Sequence, residues 1–223
     1  MGDVKSFQEQ VKKGELSGVR AALADDPSLL DAVNEAGQSA FLLAKYYRQA
    51  EVAEYLLSLK PKLNIFNACA AGRTEPVFEQ VDADPTLLMS HNPDGWTPLH
   101  LAAFFGHAEL AKGLLNRGAA VDSRSNNAME NTPLHAAAAG GNANLVELLL
   151  DRGADANARQ HGGWTALHAA AQSGNFKIAE TLLAHEAAVD VRAANNQSPL
   201  DLALLNKHEN IAELLEHRGA QLQ

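Results

Sequence analysis

Between residues 92 and 124 the chain runs through one full cycle: polar turn, apolar stretch, glycine, apolar stretch, glycine. Asp94-Gly95 opens the turn, where Gly supplies a positive φ that side-chain-bearing residues resist. Thr97 can cap a following helix with its hydroxyl. Pro98 suits the first helical position, where its missing N–H is an orphan in any case. The first predicted helix runs to about Phe105 and stops at Gly106. A second, from about Ala108 to Asn116, carries Leu110, Leu114 and Leu115 at i, i+4 and i+5, which makes one apolar stripe. Gly118 then suits a left-handed helix C-cap.

The cycle recurs. Thr97-Pro98-Leu99-His100, Thr132-Pro133-Leu134-His135, Thr165-Ala166-Leu167-His168 and Ser198-Pro199-Leu200-Asp201 are spaced by 35, 33 and 33 residues. A period near 33 predicts a stacked repeat protein with no single globular core. Gly106 matches Gly141 and Gly174, Gly118 matches Gly153 and Gly219, and Leu115 matches Leu150 and Leu183. Over residues 92–220 this pattern resembles the ankyrin repeat family. The resemblance implies an all-α solenoid of about seven stacked helix pairs with short β-turn fingers. One domain over residues 1–223 is expected: degenerate repeats in 1–94, regular repeats in 95–127, 128–160 and 161–193, and a capping repeat in 194–223. Some positions depart from the pattern. Glu186 stands where other units have the C-cap Gly, and Ser125 and Asn126 lengthen one turn, which should distort it locally. In the last unit Glu216 and Asp201 replace the Leu and the His, as suits the end of a stack.

A second, fainter symmetry relates the first repeats by an offset of 58. Gly14 maps to Gly72, Asp26-Pro27 to Asp84-Pro85, Gly37 to Gly95, and Ser39 to Thr97. The degenerate units, about residues 4–33 and 65–91, lack the Thr-Pro-Leu-His start.

Charge narrows the range of partners. Residues 1–94 carry 9 basic and 14 acidic side chains, and residues 95–223 carry 9 and 13. Neither half is basic, so binding to phosphate backbones is disfavoured. The lone Cys69 excludes an internal disulfide and fits a reducing, cytoplasmic setting. With no apolar run of about 18 residues, neither a membrane span nor a signal peptide is expected. Met1-Gly2-Asp3-Val4-Lys5-Ser6 fits a loose myristoylation pattern that is too short to carry a lipid reading.

No catalytic constellation is found: there is no nucleophile–base pair, no phosphate loop and no metal-ligand spacing. No cofactor is expected. His100, His135 and His168 recur one repeat apart, roughly 10 Å, too far for imidazoles to share a metal; the resemblance implies a structural role for them at the helix start. Cys69 is read as a small buried filler.

The resemblance also implies a recognition face made of turn tips and first-helix ends along a concave side. Tyr46-Tyr47 and Phe104-Phe105 fall at the helix end, where other units have Ala70-Ala71, Ala139-Gly140 and Gln172-Ser173. At the turn, the position before the cap holds Gln38, Trp96, Asn131, Trp164 and Gln197. Asp94 and Met129 lie on the same turns. Six of the twelve aromatic residues thus fall on one face, as interface anchors or as rings folded against the next repeat. Arg124, Arg159 and Arg192 recur in register, either as a basic rail beside that face or as a solvated row paired with acidic neighbours such as Asp122 and Asp190. Arg117, Arg152 and Arg218 sit at helix C-termini, where a cation complements the dipole. The function expected is a non-catalytic module, monomeric when free, that binds another protein. The alternatives are a regulatory subunit of an enzyme and a structural homo-oligomer.

Overall fold

The structure, a computed structural model, describes residues 3–221; the Met1-Gly2 start of the lipidation pattern lies outside them. Fourteen α-helices form among the described residues. They are α1 (Val4–Lys13), α2 (Leu16–Asp25), α3 (Ala40–Tyr46), α4 (Ala50–Ser58), α5 (Ile65–Ala70), α6 (Thr74–Ala83) and α7 (Pro98–Phe105). The remainder are α8 (Ala108–Asn116), α9 (Pro133–Ala139), α10 (Ala143–Asp151), α11 (Ala166–Ser173), α12 (Phe176–Ala184), α13 (Pro199–Leu205) and α14 (Glu209–His217). No strand forms among the described residues; an isolated bridge joins Val33 to Ser39. The chain divides into two compact units, Met1–Ala71 and Gly72–Gln223.

In the larger unit, first helices stack on first helices (α7, α9, α11, α13) and second on second (α6, α8, α10, α12, α14), the layering of an α-solenoid. Leu99, Leu110, Leu114, Leu134, Leu145, Leu149, Leu167, Ile178 and Leu182 fill the space between them and are fully buried. Leu101 is fully buried too, and the runs Ala102–Ala103, Ala136–Ala138 and Ala170–Ala171 are buried as well, their small side chains allowing neighbouring helices to close up. In the smaller unit α1 packs on α2 and α3, and α3 on α4 and α5, around Phe7, Val11, Val19, Phe41 and Leu56.

The internal duplication is visible in the backbone. Shifted by 58, α2 lands on α6 and α4 on α8 end for end. Asp26 and Asp84 precede matching 3-10 turns, each accepting from the N–H two residues on, Ser28 or Thr86, at 3.1 Å.

Among the described residues, six other than Gly hold a left-handed φ: Arg48, Lys60, Glu130, Glu186, Asn196 and Lys207. Each occupies a repeat position where sister units have Gly. Arg48 and Lys207 match Gly106 at the end of the first helix. Lys60 and Glu186 match Gly118 after the second. Glu130 and Asn196 match Gly95 in the turn. The stack therefore keeps the local geometry even where the residue that makes it easy has been lost.

The residue before several second helices serves the helix of the preceding repeat, although Asn175 also caps its own helix by accepting from the Ile178 N–H at 3.2 Å. Asn142 Nδ2 donates to the Ala103 and Phe104 carbonyls at 2.9 and 2.8 Å. Gln49 donates to the Lys12 carbonyl at 2.7 Å, and His208 Nε2 lies 3.2 Å from the Gln172 carbonyl. The unmatched carbonyls at one helix end are thus satisfied by the next repeat.

Candidate functional site

The turns preceding α3, α7, α11 and α13 are fingers closed by a main-chain bond: Asn34 N–H to Gln38 O at 3.1 Å, Asn92 to Trp96 at 2.9, Gln160 to Trp164 at 2.9, and Ala193 to Gln197 at 3.0. The lengthened finger closes in the same way, Ser125 N–H to Asn131 O at 2.9 Å. The two extra residues therefore loop out at the tip and leave the base of the finger undistorted.

The recurring histidines hold the fingers from behind. His100 Nδ1 accepts from the Thr97 N–H at 3.3 Å and lies 2.8 Å from its hydroxyl. The Thr97 hydroxyl thus bonds the ring in addition to facing the His100 main-chain N–H, a reciprocal capping box at the helix start where the sequence placed a cap. An accepting Nδ1 puts the proton on Nε2, which donates to the Asn131 carbonyl at 2.9 Å. His135 and His168 repeat this geometry toward the carbonyls of Trp164 and Gln197, both at 3.2 Å. Burial pushes the pKa of His100 and His135 down to about 4 and lowers that of His168, so the neutral ring is the folded form. Both ring nitrogens are engaged. Among the described residues no three His, Cys, Asp or Glu side chains gather closely enough to hold a metal ion. Cys69 is fully buried, and desolvation raises its thiol pKa, which leaves it without thiolate character.

On this frame stand the aromatic residues. In the larger unit Trp96 meets Phe104 with ring centroids 5.1 Å apart and planes at 70°, and Phe104 meets Phe105 at 5.1 Å and 81°. All three rings are half-buried. Phe104 stands edge-to-face with both of its neighbours, and this packing fixes the orientation of the rings in a corner. Gly140 backs the corner: a Cβ there would lie 2.2 Å from the Phe104 carbonyl oxygen. Trp164, also half-buried, tilts over His168 at 5.4 Å. Met129 is exposed, as is Gln172, and Asn131 is half-buried. In the smaller unit Tyr46 is half-buried and Tyr47 is 52% exposed, with the Lys12 ammonium 5.7 Å from its ring centre.

The arginines in register have a use that neither reading of the sequence foresaw. Arg124 donates to the carbonyls of Glu130 and Arg159, Arg159 to that of Arg192, and Arg192 to that of Asn196 and to the Asp201 carboxylate at 3.0 Å. Their donors are turned into the main chain of their own or the next finger and brace the stack sideways. Asp122 and Asp190, offered as their partners, instead accept backbone N–H bonds from Asp155 and Gln221. Arg117, Arg152 and Arg218 reach back to the preceding repeat, onto Asp82, Asn116 and the Leu183 carbonyl.

The lengthened finger was underestimated from sequence. Asn127 Nδ2 donates to the Asp94 carbonyl at 2.7 Å and Asn126 N–H to that of Gly95 at 3.0 Å, while His161 N–H donates to Met129 O at 2.8 Å. The finger is tied to its neighbours on both sides and presents Ala128, Met129 and Glu130 to solvent. Its Ser and Asn content, the usual turn chemistry, was the available signal.

Comparison with known proteins adds the family. A family model described as ankyrin repeats, in three copies, matches residues 65–160 and 153–223. Ankyrin repeat and SAM domain-containing protein 6 of Mus musculus is 40% identical over 89 residues, or 37% of this chain. The match spans about a tenth of that protein's length.

Proposed function

We propose, because the chain belongs to the ankyrin repeat family, that it is a non-catalytic module that binds a partner protein along the face of its fingers and first-helix ends. Ankyrin repeats are in general protein–protein interaction modules, and the chain carries that architecture in repeated form. The observation that carries the reading is the corner of Trp96, Phe104 and Phe105. Half-buried aromatic rings on a braced frame are the usual energetic centre of an interface. Asp94, Met129, Asn131, Trp164 and Gln172 extend the contact, and Tyr46 and Tyr47 are a separate contact on the smaller unit. Arg124, Arg159 and Arg192 keep the fingers in register for it. The first three helix pairs are counted as degenerate repeats, which makes seven, and the whole is taken as one binding domain. The free protein is taken as a monomer of the cytoplasm, to which the lone reduced Cys69 is suited.

The test is affinity capture followed by quantitative binding of whatever partner is recovered. Trp96→Ala with Phe104→Ala should weaken that complex by about 2–4 kcal/mol, while circular dichroism shows the helices retained. A partner that binds the double variant as tightly as the parent refutes the reading. Light scattering that shows a dimer dispersed by the same substitutions would favour self-association.

A further inference from the structure

The division into units exposes a charge asymmetry that halving the chain by sequence conceals. Residues 1–71 carry 8 basic and 9 acidic side chains, whereas residues 72–223 carry 10 and 18. The aromatic corner belongs to the strongly acidic unit. The cation nearest in sequence to the finger tip, Arg124, has its head turned into the carbonyls of Glu130 and Arg159. The Glu130 carboxylate is exposed, and no ion pair to it forms among the described residues.

Glu130 is also strained. Its φ of 49° lies where three sister fingers use Gly37, Gly95 and Gly163. A side-chain-bearing residue held in that region by its surroundings, with Gly at the matching positions, points to a use for the side chain. Glu130 also belongs to the finger next to that of Trp96. Its neighbour Asn131 accepts the His100 bond at 2.9 Å, and the His100 ring is 6.1 Å from that of Trp96. The fingers of Trp96 and Glu130 are hydrogen-bonded side by side through Asn127 and Asp94.

Aromatic faces with an exposed carboxylate on the adjoining finger suit a cation, since ring faces are the negative regions of the aromatic quadrupole. We propose that the Trp96–Phe104–Phe105 corner receives a lysine or arginine side chain from a basic segment of the partner, with Glu130 as its counter-charge and Met129 beside its aliphatic stem. The proposal rests on the interaction reading above and names the chemistry of the partner.

Tryptophan fluorescence tests it in a Trp164→Phe background, which leaves Trp96 as the reporter. Twelve-residue alanine–serine peptides bearing three arginines, three lysines, three citrullines or three leucines serve as probes. Arginine and lysine peptides should bind at least about fivefold tighter than citrulline and weaken as salt rises. Glu130→Gly should raise the unfolding midpoint and yet lose several-fold in affinity for the arginine peptide, a combination that a merely structural residue cannot give. Citrulline or leucine peptides binding as well as arginine would overturn the proposal and leave the interaction reading standing. So would an absence of any Trp96 response to the cationic peptides, or an undiminished affinity in Glu130→Gly.

Discussion

Glu186 offers a clean measurement of what the stack imposes on its residues. It follows α12 with φ 63°, at the position that Gly118, Gly153 and Gly219 fill in other units. A Cβ built on any of those three glycines meets nothing within 4 Å. The cost of a side chain there is therefore torsional and not steric, about 1–2 kcal/mol for an L-residue in the left-handed region. Gly gives back part of this by loosening the unfolded chain, about 0.4–1 kcal/mol. Glu186→Gly should thus stabilise by a net of about 0.5–1 kcal/mol, and Gly153→Ala should destabilise by a similar amount. The bond from the Asn157 side-chain Nδ2 to the Glu186 main-chain carbonyl, 3.2 Å, survives the change. Urea unfolding followed by circular dichroism at neutral pH reads both shifts, and the pair combined should nearly cancel because neither variant removes a shared partner. Thermal midpoints should move by about 1–4 °C. If Glu186→Gly left stability unchanged or lower, the left-handed position would not be where the cost resides.

Other substitutions probe the packing, the caps and the titration. Leu149→Ala, in the fully buried stripe of α10, should cost about 2–5 kcal/mol in denaturant unfolding; an unmoved midpoint would refute its central place. Gly140→Ala has an ordinary φ of −73° but drives a Cβ against the Phe104 carbonyl and Asn142, so a loss of about 1–3 kcal/mol is expected, with Trp96 fluorescence changed. Arg124→Gln should leave the helices intact and speed amide exchange in residues 125–131; unchanged exchange would remove the bracing role. Acid should weaken the fold through His100 and His135. Their pKa in the fold is about 4 against an ordinary value of about 6.5, so stability is complete above about pH 6.5 and declines toward pH 4, by up to about 3 kcal/mol per ring. His135→Gln, which mimics the Gln8 bond to the Gln38 carbonyl in the first repeat, should flatten that slope; a parent midpoint flat between pH 7 and 5 would exclude the mechanism.

The repeat frame was legible because its signals are local. Thr97-Pro98, Gly106 and Gly118 punctuate helices through backbone rules that need no knowledge of neighbours, and α7 and α8 begin and end where those rules placed them. The offset of 58 was legible for the same reason. The links between repeats were not. Whether Asn142 caps its own helix or the Phe104 carbonyl of the previous one depends on which group lies within 3 Å in space, and both choices satisfy the same local preference. The arginine row failed similarly: position in the turn showed that Arg124, Arg159 and Arg192 share an environment, but not that the environment is a set of carbonyls. Gln8, doing the work of a histidine in a unit without the Thr-Pro-Leu-His start, left no motif to find.

These links bear on recognition. Each finger base is closed by its own turn bond, and the carbonyls of Gln38, Asn131, Trp164 and Gln197, just before the helix cap, are held by a histidine or Gln8 of the preceding repeat, while the Trp96 finger is tied to the next one through Asn127. An arginine then fastens successive fingers together. The main chain beneath Trp96, Met129 and Glu130 is therefore ordered during folding, and little loop entropy remains to be lost when a partner arrives. The strain at Glu130 is borne by the same bonds: the Arg124 guanidinium holds its carbonyl, and its own N–H donates to Asn127 O at 3.2 Å. A stack that distributes its stability over many repeat contacts can hold one finger in a costly conformation without loosening the others. In this way a structural surplus in the repeats holds the main chain of Glu130 in place on its finger.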